Sequence, residues 1–244
     1  MTYITKDIKV LIGCEYSGIV REAFNAIPGI EAWSCDLLPT ERPSNRHIVA
    51  DVRDVLGDGW DMLCVFHPPC TRLCNSGVRW LHVPPRGRTL DDMWVELDQG
   101  CDLFSDLWNA PIKHKVIENP VMHKHAKERI RNYRDATQTV QPWWFGEPVF
   151  KATGLYLDNL PVLVPTNKLN PPKSGTKEHG KWSKVHRASP GPNRWKERSR
   201  FFPGIAAAMA EQWGHYVVNR MAEQLTGAAM PSFTRSDGQM GFAL

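Results

Sequence analysis

No apolar run in the 244 residues approaches the length of a bilayer span. The first residues, MTYITKDIKV, lack the apolar stretch of a secretory signal. Both absences predict a protein that is neither exported nor membrane-inserted and that works in a cytoplasm. The six cysteines (Cys14, Cys35, Cys64, Cys70, Cys74, Cys101) form no CxxC pair and no even, disulfide-like spacing, so reduced thiols are expected. His114, His123 and His125 lack a matching Cys or carboxylate at ligand spacing, which speaks against a zinc site. Internal repeats and low-complexity tracts are also missing, which excludes a solenoid.

One region is poor in acids. Residues 165–200 hold ten Lys/Arg, among them Lys181, Lys184, Arg187 and Arg194, against Glu178 and Glu197 alone. That segment carries +8, leaving −4 for the remainder of a chain whose net charge is +4. Such a segment either binds a polyanion or is a solvated loop; charge by itself does not separate the two.

What is present is an alternation of short apolar runs with helical stretches, the pattern of an α/β fold with a mostly parallel sheet. Strands are expected at Val10 to Ile12, Ala32 to Ser34, His47 to Ala50, Met62 to Phe66, Lys115 to Ile117 and Leu155 to Leu157. Helical spacing marks residues 90–109, through Met93, Leu97, Cys101, Phe104 and Leu107, and residues 205–225, through Ile205, Met209, Trp213, Val217 and Met221. Residues 161–203, rich in Pro, Gly, Lys and Ser, read as a long loop or minimal subdomain. The organisation expected is a core over 1–164, a basic segment over 165–200, a closing helix over 201–225 and a tail over 226–244.

Ligands of open α/β sheets bind at the carboxyl ends of strands, and the unusual polar residues fall at those ends in order. Gly13-Cys14-Glu15-Tyr16-Ser17-Gly18 lies between a strand and a helix, where small residues let backbone approach a ligand. Asp36 follows at the distance from which an acid grips ribose hydroxyls; alternatively these are a tight turn and a surface acid. His67-Pro68-Pro69-Cys70 leaves the clearest strand, and two prolines there end the ladder and stiffen the thiol's position. Arg72 and His67 are near enough in sequence to raise its thiolate fraction. Glu118-Asn119-Pro120 ends another strand, where a partly desolvated carboxyl can donate a proton to a ring nitrogen. The remaining cysteines, Cys14, Cys35, Cys64 and Cys101, read as structural.

Taken in order, these motifs resemble the cytosine 5-methyltransferase family of DNA-modifying enzymes, in its short phage or bacterial form, over residues 10–157 and again over 198–213. PCTRLCNSG is similar to the family's Pro-Cys-Gln loop, with Thr71 where the family has Gln, and the resemblance makes Cys70 the nucleophile. Glu118 becomes the residue that meets the cytosine ring nitrogen. Of the family's Gln-x-Arg-x-Arg strand, Val149, Lys151 and Thr153 stand in place, so Lys151 is its one surviving cation, and the resemblance counts it as catalytic with Cys70 and Glu118. For S-adenosylmethionine the resemblance implies a Rossmann-like fold and binding by Gly13, Glu15, Ser17, Gly18, Asp36, Leu37, Asp51, Val52 and Pro69. Asp36 takes the ribose position and Asp51 the adenine amino group. The large target-recognition region is reduced here to the basic segment, so Arg72, Ser76, Lys181, Lys184, Arg187 and Arg194 are the expected nucleic-acid contacts, with Trp182 or Trp195 able to stack on a base. The implied substrate is cytosine in DNA. RNA, single-stranded DNA, a free cytosine nucleotide or a non-catalytic binding protein of the same fold remain open. An amino-group methyltransferase is disfavoured, because HPPC lacks the acid and aromatic that hold an amino group.

Overall fold

The computed structural model describes residues 7–66, 68–185 and 201–226. Its frame follows from alternation along the strands. β1 (Ile8–Gly13) turns Val10 and Ile12 to one face and Leu11 to the other; β4 (Met62–Val65) separates Met62 and Cys64 from Leu63 and Val65; β5 (His114–Asn119) separates Val116 from Ile117. Strands apolar on both faces belong in the middle of a parallel sheet covered by helices.

With β2 (Ile30–Asp36), β3 (His47–Val49), β6 (Gln138–Val140) and β7 (Thr153–Asp158), the seven strands lie in the order β3-β2-β1-β4-β5-β7-β6. The first five in that order are parallel, and β7 runs antiparallel to both β5 and β6. The order agrees with the dinucleotide-binding arrangement through β5 and departs from it by the antiparallel β7. Strand order reverses between β1 and β4, and a crevice opens at the carboxyl ends of strands at such a point.

Helices cover both faces. α1 (Ile19–Asn25) lies on the Val10 face, and α2 (Leu90–Trp108) and α3 (Lys124–Arg129) lie on the Leu11 face. α2 begins where the sequence predicts because Thr89 and Asp92 form a reciprocal capping box. Within the stretch read as a loop, α4 (Lys177–Trp182) forms, capped by Thr176 and anchored by Trp182 against Phe150, ring centroids 5.3 Å apart. Among the described residues no helix is long and apolar enough to cross a membrane.

The closing helix is interrupted. α5 (Pro203–Met209) passes through a π-helical turn (Ala210–Gly214) into α6 (His215–Thr226). Residues spaced strictly by four drift about 40° per step around an α-helix, and one wider turn restores their phase. Ile205, Met209, Trp213 and Val217 thereby all face the core. Trp213 is fully buried, and its indole N–H donates to the Pro161 carbonyl at 2.8 Å. Trp213→Ala is expected to lower stability by about 4 kcal/mol, read as a fall in the urea midpoint with an unchanged slope.

Candidate active site

A cavity of about 250 Å³ lies at the switch point. Its wall comes from four strand ends: Cys14 to Ser17 after β1, Cys35 to Leu38 around the end of β2, Ala50 to Val52 after β3, and Pro69 after β4, with Leu103 of α2 closing it. Seven of the nine residues expected to hold a cofactor therefore share one cavity: Glu15, Ser17, Asp36, Leu37, Asp51, Val52 and Pro69. Gly13 and Gly18 are supports rather than wall. A Cβ on Gly13 would lie 2.8 Å from a Val52 methyl carbon, and Gly18, at φ 76°, turns the chain into α1. Cys14 and Tyr16 of the same turn also line the cavity, as do Leu38, Ala50 and Leu103, which the sequence does not single out as ligand contacts.

The turn after β1 uses a carboxyl where a phosphate-binding loop would use a phosphate. Glu15 Oε1 accepts from the Ile19 N–H at 3.1 Å, and also from the Ser17 hydroxyl. The start of α1 is thus capped from within the chain. Burial raises the Glu15 carboxyl above its usual range, opposed by the Ser17 hydrogen bond and by Arg21. Its other oxygen is buried without a hydrogen-bond partner among the described residues. Asp36 accepts from the Leu38 N–H at 2.9 Å. Asp51 is held in a bidentate pair by Arg53, with contacts of 3.0 and 2.5 Å, which keeps its carboxyl below the ordinary range. Cys14 is pushed up to about 12 by burial first and then by Asp36, Cys35 and Asp51. Three acids and no Lys, Arg or His stand among the described wall residues, a composition that repels phosphates and suits a cation or a polyol.

Pro69 links this cavity to the second half of the site. Cys70, the next residue, opens a tight turn in which its carbonyl accepts from Leu73 N–H at 3.0 Å and Cys74 N–H at 3.1 Å. The turn is stitched to the chain beyond β5: Asn75 N–H donates to the Val121 carbonyl at 3.1 Å and His123 N–H to the Leu73 carbonyl at 3.0 Å. These bonds fix the Cys70 loop against β5, whose penultimate residue, Glu118, is 5% exposed. Burial pushes the Cys70 thiol up to about 11, Glu118 and Cys74 add to the rise, and Lys151 opposes it. Cys70 therefore senses the charges of both Glu118 and Lys151. Lys151 arrives through topology. β7 is antiparallel to β5, with Gly154 opposite Asn119, so the residues just before β7 sit at β5's carboxyl end.

Two sequence expectations change here. Among the described residues, the cation that acts on Cys70 is Lys151 and not Arg72, whose guanidinium pairs with Glu96 at 2.6 Å. Trp182 is buried against Phe150 and is a core residue, not a surface for stacking bases. Ser76 is exposed, its hydroxyl 3.1 Å from the Cys74 sulfur. Lys181 and Lys184 are exposed, with Lys181 2.9 Å from Glu178. His67, Arg187, Arg194 and Trp195 lie outside the described residues. His114 begins β5, whereas His123 and His125 follow its far end, and no metal-holding group of three or more His, Cys, Asp or Glu occurs among the described residues.

No protein-family model matches the chain, and a search of curated proteins found no significant match.

Proposed function

We propose that the protein transfers a methyl group from S-adenosylmethionine to carbon 5 of cytosine through a covalent adduct on Cys70. The observation that carries the reading is the junction at Pro69. On one side is an acid-lined cavity whose helix start is already capped by Glu15; on the other is a thiol grouped with a carboxyl and an ammonium.

The cavity's residues fit the cofactor's parts. Asp36 is suited to ribose hydroxyls and Asp51 to an amino group, while Leu37, Leu38, Val52 and Leu103 offer apolar surface to a purine. The cofactor, when bound, supplies an electrophilic methyl on a cationic sulfur, and an acid-rich wall favours that charge.

Carbon 5 of cytosine is too electron-poor to take a methyl unaided. The Cys70 sulfur bonds to carbon 6 as ring nitrogen 3 gains a proton, leaving an enamine nucleophilic at carbon 5. The proton lost by the thiol balances the one gained by the ring, and Glu118, beside Cys70, is the group to hand it across. After methylation, water takes the carbon 5 proton as the thiolate leaves, and ring nitrogen 3 returns its proton through Glu118 to the thiolate, restoring the neutral ring and the thiol. Lys151 stabilises the thiolate at both ends of this cycle. For duplex DNA the base must leave the stack, at a cost of a few kcal/mol. Exposed Lys181 and Lys184 are suited to holding phosphates.

The test is incubation with radiolabelled S-adenosylmethionine and, separately, duplex DNA, single-stranded DNA, RNA and dCTP. Label in 5-methylcytosine from one of these, absent with Cys70→Ala, is the expected result. Label in an amino group, or transfer that survives Cys70→Ala, would overturn it. Binding that weakens steeply with added salt identifies a polymer substrate over a nucleotide.

A further inference from the structure

Leu37 and Leu38 form one wall of the cavity, yet they are 71% and 39% exposed and lie in a loop, 37–46, with no buried apolar anchor. What holds that loop is polar. Arg21 of α1 is 1% exposed, an unusual burial for a cation. Its NH1 donates to Ser34 Oγ at 2.8 Å and Thr40 Oγ1 at 3.3 Å, and its NH2 donates to the Arg42 carbonyl at 3.0 Å. Ser34 Oγ lies 2.8 Å from His47 Nδ1, and His47 Nε2 lies 2.9 Å from the Leu38 carbonyl. Ser34 and His47 are cross-strand partners of β2 and β3, so the contact is built into the sheet.

The direction of these bonds follows from the groups at each end. A guanidinium only donates and a carbonyl only accepts. The Leu38 carbonyl therefore requires hydrogen on His47 Nε2, and Ser34 accepts from Arg21 while donating to Nδ1. The chain from Arg21 through Ser34 and His47 to Leu38 is consistent at every link. Gly18 belongs to it as well, because a Cβ there would lie 2.7 Å from Arg21 NH2. The charge of Arg21 also acts on Glu15, in the turn after β1 that lines the same cavity.

We infer that Arg21, Ser34 and His47 form a relay that positions the Leu37–Leu38 wall for the nucleoside part of the cofactor, which makes Arg21 and Ser34 positioning residues of a cavity whose wall neither forms. The inference rests on the cofactor reading above. It also gives the buried cation a role: an apolar residue at position 21 would fill the space but lose the loop's bonds to Thr40 Oγ1 and the Arg42 carbonyl.

Ser34→Ala removes the middle link with little loss of volume, and His47→Phe keeps a ring while removing both of its bonds. Two readouts separate positioning from general support. Titration calorimetry is expected to give an S-adenosylmethionine Kd about tenfold weaker in either variant, with the KM for cofactor raised more than kcat is lowered. Hydrogen exchange is expected to quicken about tenfold at amides of residues 37–46 while those of β1 and β5 keep their protection. Unchanged binding and exchange in both variants, or exchange quickened evenly across the sheet, would overturn the relay. Wild-type protein that binds no S-adenosylmethionine instead overturns the cofactor reading, and the exchange comparison still decides whether the relay holds the wall.

Discussion

Cys70→Ser is expected to cut methyl transfer about a thousandfold or more while the protein still binds S-adenosylmethionine. Serine keeps the shape of the turn, because the bonds from Leu73 and Cys74 go to the backbone carbonyl of residue 70. It loses the soft nucleophile. The resting state of Cys70 sharpens the test. With the thiol pushed up to about 11 by burial, Glu118 and Cys74, its alkylation by iodoacetamide should rise about tenfold per pH unit from pH 7 to 10. Glu118→Gln removes a charge that raises the thiol, so at fixed pH Cys70 should alkylate faster, yet turnover should fall about a hundredfold as the proton donor to the ring is lost. Lys151→Met should slow alkylation, since the charge of Lys151 lowers the thiol. Alkylation is followed by mass spectrometry of the peptide carrying Cys70. Faster alkylation with undiminished turnover in Glu118→Gln would leave Glu118 as a charge near the thiol and nothing more.

Gly77→Ala is expected to damage turnover about as much as Glu118→Gln, although residue 77 makes no contact with a substrate in the proposed mechanism. A Cβ at this position would lie 1.8 Å from the Thr71 carbonyl oxygen and 2.9 Å from its carbon. Those are backbone atoms beside Cys70, so no side chain can swing away to make room. The turn must shift, and a displacement of about 1 Å at a nucleophile costs on the order of a hundredfold in rate. A drop in melting temperature of several degrees should accompany it. Gly57→Ala is the matched control, as nothing lies within 4 Å of the added carbon. Full activity in Gly77→Ala would show that the turn tolerates movement and that the position of Cys70 is not set by its packing.

The strands and the long helices were legible in the sequence because their signal is local. Val10 to Ile12 and Met62 to Phe66 are short apolar runs, as is Val116-Ile117 after Lys115, and each lies in a central strand. β6, at three residues, is too short to show alternation. α4 was hidden because its one buried anchor, Trp182, sits among Lys, Gly and Pro, where composition reads as loop. The π turn was half visible: a strict four-residue spacing announces a buried stripe but not the wider turn that keeps it in phase.

The site divides along the same line. By itself, the sequence determined that Glu15, Asp36, Asp51, Pro69, Cys70 and Glu118 follow apolar runs that become strands, and the carboxyl ends of parallel strands gather on one edge. Tertiary structure alone decided which charges meet. Lys151 reaches Cys70 because β7 runs antiparallel beside β5, Arg72 is taken up by Glu96, and Arg21 enters the interior to hold a loop sixteen or more residues further along. The physical reason is range. Hydrophobic periodicity is a property of neighbouring residues, whereas the partner of a charge is set by strand order and by burial, which no local pattern encodes.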